Sequence, residues 1–131
     1  MASRIAALNH YRPRIQRSKT ITRKTLVHHI ADRTGLNEGE ILLMLLELRD
    51  AIVFFNRIGR GVKLEGLGTY LPNVNYKGEF DVAYYMDVDF KAALNTNPDY
   101  RYVLNRQQIG KSAAEIVAIW NEEHPDDPVR G

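Results

Sequence analysis

Residues 59–70 read Gly-Arg-Gly-Val-Lys-Leu-Glu-Gly-Leu-Gly-Thr-Tyr, with four glycines in ten positions. The stretch has no His, Cys or Ser, and its one carboxylate is Glu65. So much backbone freedom directly after a long apolar run suits a phosphate-binding loop, a plain hairpin or a tight architectural bend. Spacing removes the first option. Gly59, Gly61, Gly66 and Gly68 do not form G-x-G-x-x-G, because positions 64 and 71 are Leu. Gly110-Lys111-Ser112 fails as a phosphate loop as well, since position 105, where the first glycine is required, is Asn. Glycine within a strand otherwise marks a bulge, a bend or close backbone approach.

Upstream, residues 38–58 carry the run Ile41 to Leu46 with no polar break, continued by Leu48, Ile52, Val53 and Phe55. A helix apolar on all sides must be buried on all sides. One short helix and a small sheet do not cover it within a single chain, so the pattern predicts dimerisation. Asn37 caps this helix, with Glu40 placed as in a capping box. Before it, Thr22 caps a helix over residues 23–34 that Gly35 ends.

Downstream, residues 69–77 and 79–87 read as two strands joined at Lys77-Gly78. Alternation puts Val74, Tyr76, Phe80, Val82 and Tyr84 on one face, expected to be buried, with Asn73, Asn75, Lys77, Glu79 and Asp81 on a wet one. Residues 88–95 read as a short helix and residues 96–107 as a loop or irregular strand. A last amphipathic helix shows Ile109, Ala113, Ile116, Val117 and Trp120 on one face. The acidic, proline-broken tail from His124 is expected to fray. The fold class is α+β. The expected organisation is a basic N-terminal arm (1–20), a two-helix and hairpin domain (21–95) and a C-terminal extension (96–131).

The chain has 131 residues, of which 44% are apolar and 26% charged, so one modest soluble core is expected. It contains no cysteine, which excludes disulfides, thiolate metal sites and thiol catalysis. No apolar run approaches the ~18 residues of a membrane span, nor does the start resemble a signal peptide, so a cytoplasmic location is expected. The net charge of +2 hides an asymmetry. Residues 1–31 hold Arg4, Arg12, Arg14, Arg17, Lys19, Arg23 and Lys24 and no acid, while the rest has eleven Lys/Arg against sixteen Asp/Glu. Such an arm suits a polyanion, and residues 6–19, alternating basic and apolar around Pro13, read as an extended arm or edge strand.

Catalytic and metal chemistry find no support. His28 and His29 are adjacent and point about 100° apart on a helix, and His28 with Asp32 supplies only two ligands. No Ser stands in register with a His, and neither metal nor cofactor is expected.

From Leu26 to Tyr70 the chain resembles the bacterial histone-like HU/IHF family, without insertion or deletion. Leu26, Ile30, Asn37, Val62, Leu64, Gly66, Leu67, Gly68, Thr69 and Tyr70 occupy the family's L-x-x-x-I and V-x-L-x-G-F-G-T-F positions in order. It looks closest to the HU-like domains of Bacteroidetes-type bacteria, which carry extra N-terminal residues and a shortened arm. The likeness covers about residues 20–95. It implies an intertwined homodimer in which Leu45, Leu48, Ile52, Phe55, Leu67 and Tyr70 form the interface, with Gly66 and Gly68 bending the strand there. It also implies double-stranded DNA as partner, at the nucleoid, with phosphate contacts dominant.

The family's DNA residues carry over thinly. Arg23 keeps a basic position, Asn73 and Asn75 replace arm-base arginines, and the arm shrinks to a turn at Lys77-Gly78 without a tip proline. The family's F-x-x-G-K becomes Tyr84-x-x-Asp87-Val88. Arg12, Arg14, Arg17 and Lys19 are expected to compensate. The alternative is a dimeric scaffold of the same fold that has dropped DNA binding, with a protein partner on the C-terminal helix.

Overall fold

A computed structural model describes residues 1–130; Gly131, the end of the expected tail, lies outside them. The elements are α1 (Arg4–Tyr11), β1 (Arg14–Ile15), α2 (Arg23–Thr34), α3 (Glu38–Arg57), β2 (Val62–Leu64), β3 (Gly68–Val74), β4 (Phe80–Met86), α4 (Val88–Thr96), β5 (Val103–Leu104) and α5 (Ala113–Glu123). The fold is α+β. It divides into two compact units, Thr20–Pro98 and a terminal unit of Met1–Lys19 with Asp99–Gly131.

In the larger unit, Gly35 ends α2 at φ +74°, and Asn37 starts α3 by accepting from the Gly39 N–H at 2.7 Å. That bond reaches the second residue of the helix, and Glu40 takes no part in capping it. Val27 of α2 and Ile41 of α3 are buried. Between the two helices His28 meets Glu38 through Nδ1 at 2.9 Å and Asp32 through Nε2 at 3.3 Å. The hydrogen bond to Glu38, then the two carboxylate charges, raise the His28 pKa above its ordinary value.

The sheet order is β2-β3-β4, all antiparallel. Gly59, at φ +81°, closes α3, and the Arg60 N–H returns to the Phe55 carbonyl at 2.9 Å. Val62 pairs with Tyr70 and Leu64 with Gly68, so residues 65–67 form a tight three-residue turn with Gly66 at φ +86°. Gly68 is there for a different reason. A Cβ on it would lie 2.5 Å from Tyr84 Cε1 and 2.6 Å from the Tyr85 carbonyl oxygen. The glycine-rich stretch is thus a turn followed by a point of close strand approach.

The hairpin register pairs Val74 with Phe80, Pro72 with Val82 and Asn73 with Asp81. The predicted alternation holds within the strands, but Tyr76, expected on the apolar face, lies in the turn beyond β3 and is exposed. The predicted burial does not hold. Phe80 is 65% exposed, and Val74, Val82 and Tyr84 are exposed too, because nothing within the unit covers their face.

The terminal unit corrects two expectations. Residues 4–11 are helical rather than extended: Ser3 caps α1 by accepting from Ala6 N, and the run from Arg4 to Tyr11 contains no proline. Pro13 then turns the chain into β1, an edge strand that pairs with β5 (Arg14 with Leu104, Ile15 with Val103). Nor does the tail fray. Asn121 Oδ1 accepts from the Val129 N–H at 2.7 Å, Trp120 Nε1 donates to the Asp127 carbonyl at 2.7 Å, and Val129 bridges to Ala2 in parallel.

Ala7 and Tyr11 of α1 and Ile116 of α5 are buried where these two helices pack. The Tyr11 hydroxyl donates to Glu123, and burial together with that carboxylate pushes its pKa up to about 12. Ser112 and Glu115 form a full capping box at the start of α5, which leaves Ile109 before the helix and half-exposed.

Candidate nucleic-acid interface and subunit groove

A concavity of the larger unit lies between α3 and the β3–β4 hairpin. It is a groove of about 780 Å³ walled by Leu45, Leu48, Ile52 and Val53 on the helix and Tyr70, Pro72, Phe80 and Val82 on the strands. Four of the six expected interface residues, Leu45, Leu48, Ile52 and Tyr70, meet here. Phe55 faces a second, smaller concavity with Arg60 and Val62, and Leu67 sits at the β2–β3 turn, 46% exposed. Pro72, Phe80 and Val82 complete the wall. Two of them were legible, since alternation had already put Phe80 and Val82 on the apolar face. Polar groups stand at the rim: Arg49, Arg57 and Asp81. Asn56 ties the end of α3 to the following loop by donating to the Arg60 carbonyl at 2.9 Å, and to β3 by donating to the Tyr70 carbonyl at 3.4 Å.

The expected DNA residues fall in both units. Arg23 lies at the first position of α2, exposed, beside a concavity it lines with Lys24 and His28. Asn73 is exposed and opposite Asp81. Asn75 is committed to the hairpin turn, its Oδ1 accepting from the Lys77 N–H at 2.9 Å and the Glu79 N–H at 3.0 Å. Lys77 is exposed at the tip, with Glu79 and Asp81 following. In the terminal unit Arg12, Arg14, Arg17 and Lys19 are all exposed, none of them in an ion pair among the described residues.

One role was missed in the sequence. Asp87 precedes α4 but does not cap it; its Oδ2 accepts from the Gly66 N–H at 2.8 Å, while the Asp87 N–H donates to the Leu67 carbonyl at 3.0 Å. The Tyr84 hydroxyl donates to the same carbonyl at 2.9 Å. The acid that stands where the resemblance expects glycine is therefore a clamp on the glycine turn. A partner 21 residues away in the chain leaves no local spacing to read.

With this geometry in place, residues 6–95 match the family described as an HU domain fused to wHTH, Ig or glycine-rich motif. The chain belongs to that family of HU-like domains. No curated protein matches the chain. The family supports an HU-like DNA-binding architecture in general, and no described helix is long and apolar enough to cross a membrane.

Proposed function

We propose that this protein is a nucleoid-associated HU-like protein of the Bacteroidetes type, which binds duplex DNA as a homodimer with little sequence preference and a shortened arm. The observation that carries the DNA reading is the exposed basic N-terminal region: seven Lys/Arg and no acid in residues 1–31. Arg12, Arg14, Arg17, Lys19 and Arg23 neutralise phosphates, twice over in a dimer, while Asn73, Asn75 and Lys77 contribute less. Displaced counterions then drive association. The groove between α3 and the hairpin receives the same face of a second copy, since an exposed apolar surface of this kind needs a partner.

The test is fluorescence anisotropy of a labelled duplex, with salt raised from about 50 to 200 mM. Steep weakening with salt supports the reading. Arg12→Ala and Arg14→Ala are each expected to lower the salt slope by about one for every phosphate no longer neutralised. A duplex left unbound at the low-salt end removes the DNA role.

One observation favours a second reading, a dimeric scaffold that has lost DNA binding. The hairpin's wet face offers Lys77 against Glu79 and Asp81, and the Asn75 oxygen is spent on the turn. A protein partner on α5 has less support, because Ile116 is buried and the Trp120 ring meets His10 and Tyr11 of α1 within the same unit.

A further inference from the structure

The terminal unit is electrostatically unlike the HU-like unit. It holds nine Lys/Arg against six Asp/Glu, where the larger unit holds nine against ten. Within it the charge is polarised by segment. Residues 1–19 and 99–114, which contain the β1–β5 ribbon, carry eight cations and a single acid, Asp99. Arg101 neutralises that acid through paired bonds, Nε to Oδ1 at 2.9 Å and Nη2 to Oδ2 at 2.6 Å, which hold the Asp99 carboxyl below its ordinary pKa. Five acids lie in the remaining segment, and three are already engaged: Glu115 in the capping box, Glu123 by Tyr11 and Asp127 by the N-terminal amine.

The ribbon itself is short and exposed. Its pairing extends by one bond, from the Gln16 N–H to the Tyr102 carbonyl at 2.7 Å. Alternation then puts Arg14 and Leu104 on one face with Gln16 and Tyr102. Asn105, in the left-handed region at φ +58°, fixes the ribbon to the end of α1 by donating to the carbonyls of His10 and Arg12. Tyr100 and Tyr102 are each 53% exposed, and the Arg101 guanidinium lies 5.8 Å from the Tyr102 ring centre. Residues Tyr100–Tyr102 form a 3-10 turn that leads into β5, and Arg106 Nη1 donates to the Tyr100 carbonyl at 3.5 Å. Half-exposed aromatic rings in a unit whose Arg12, Arg14 and Arg106 have no ion-pair partner among the described residues are what unpaired bases stack upon while their phosphates are neutralised. A duplex keeps its bases stacked inside and has no use for the rings. The second strand, β5, lies beyond the residues that match the family.

We propose that the β1–β5 ribbon is a binding surface for single-stranded nucleic acid, with Tyr100 and Tyr102 stacking bases and Arg12, Arg14 and Arg106 contacting phosphates. It deepens the DNA reading above, with which it shares Arg12 and Arg14, and the tyrosines separate the two. The experiment titrates the full chain into a labelled thymidine oligonucleotide of roughly 20 nucleotides and, separately, into a duplex of equal length. The double variant Tyr100→Ala/Tyr102→Ala is expected to bind the single strand about tenfold more weakly, leaving duplex affinity within about twofold. Tyr100→Phe/Tyr102→Phe, which keeps both rings, is expected to restore single-strand binding and guards against a folding defect. Duplex binding with no single-strand binding, or an alanine variant that binds the single strand as the parent does, overturns this surface and leaves the duplex reading standing. Single-strand binding without duplex binding upholds the ribbon and removes the duplex reading.

Discussion

The two units solve the problem of a small core in opposite ways. The terminal unit is the smaller, yet it buries Ala7, Tyr11, Ile116 and Val129 against its own elements and knits its tail to α5 with hydrogen bonds. Among the described residues of the HU-like unit, the only large apolar side chains that are buried are Val27 and Ile41, while Leu43, Met44, Phe54 and Phe80 are more than half exposed. A chain of this composition has enough apolar side chains for a core. The larger unit has them on one long helix and one hairpin face, where a single copy has nothing to set against them. The terminal unit folds on itself; the HU-like unit leaves an apolar groove open, the face that the proposed second copy covers.

The sharpest way to break that contrast is to alter the groove. Ile52→Ala is expected to cost about 2–4 kcal/mol per subunit, read as a lower urea midpoint whose value depends on protein concentration, because folding and association are then linked. A midpoint independent of concentration would make the larger unit self-sufficient. Next comes Gly68→Ala, whose methyl group meets Tyr84 and the Tyr85 backbone at under 3 Å. Its expected cost is about 1–3 kcal/mol, since the strand must shift and the neighbouring backbone yields little.

In the terminal unit, Tyr11→Phe removes the donor to Glu123 and should cost about 1–2 kcal/mol there, with no change in the concentration dependence. The smallest effect belongs to His28. Its folded pKa is raised, so its contribution is complete below the unfolded value of about 6.5 and fades as pH rises through the folded value. Thermal melts across that interval should show a small loss of stability that His28→Gln abolishes.

What could be read in advance follows the range of the interaction. Caps at Asn37 and Gly35, the α3 stripe, the hairpin register and the glycine turn are local, and the sequence states them through residue type and period. The Asp87 clamp on Gly66, the Asn105 link to α1 and the pairing of β1 with β5 join residues distant in the chain, so no spacing announces them. The same cause explains the half-read N-terminal segment. Residues around Pro13 read as an extended arm or edge strand, and Arg14–Ile15 is an edge strand, but its partner lies some 90 positions later. The groove was legible as a need for burial at Leu45, Leu48, Ile52 and Tyr70. Of its strand wall, Phe80 and Val82 already stood on the predicted apolar face, and Pro72 followed only once the register was fixed.

Sedimentation equilibrium of the full chain at several concentrations tests the central claim, that the HU-like unit is completed by a second copy of itself. A mass twice that of one chain, falling to the single-chain mass when Ile52→Asp puts a carboxylate into the groove, is the predicted result. A parent protein that stays at single-chain mass across the concentrations would contradict it.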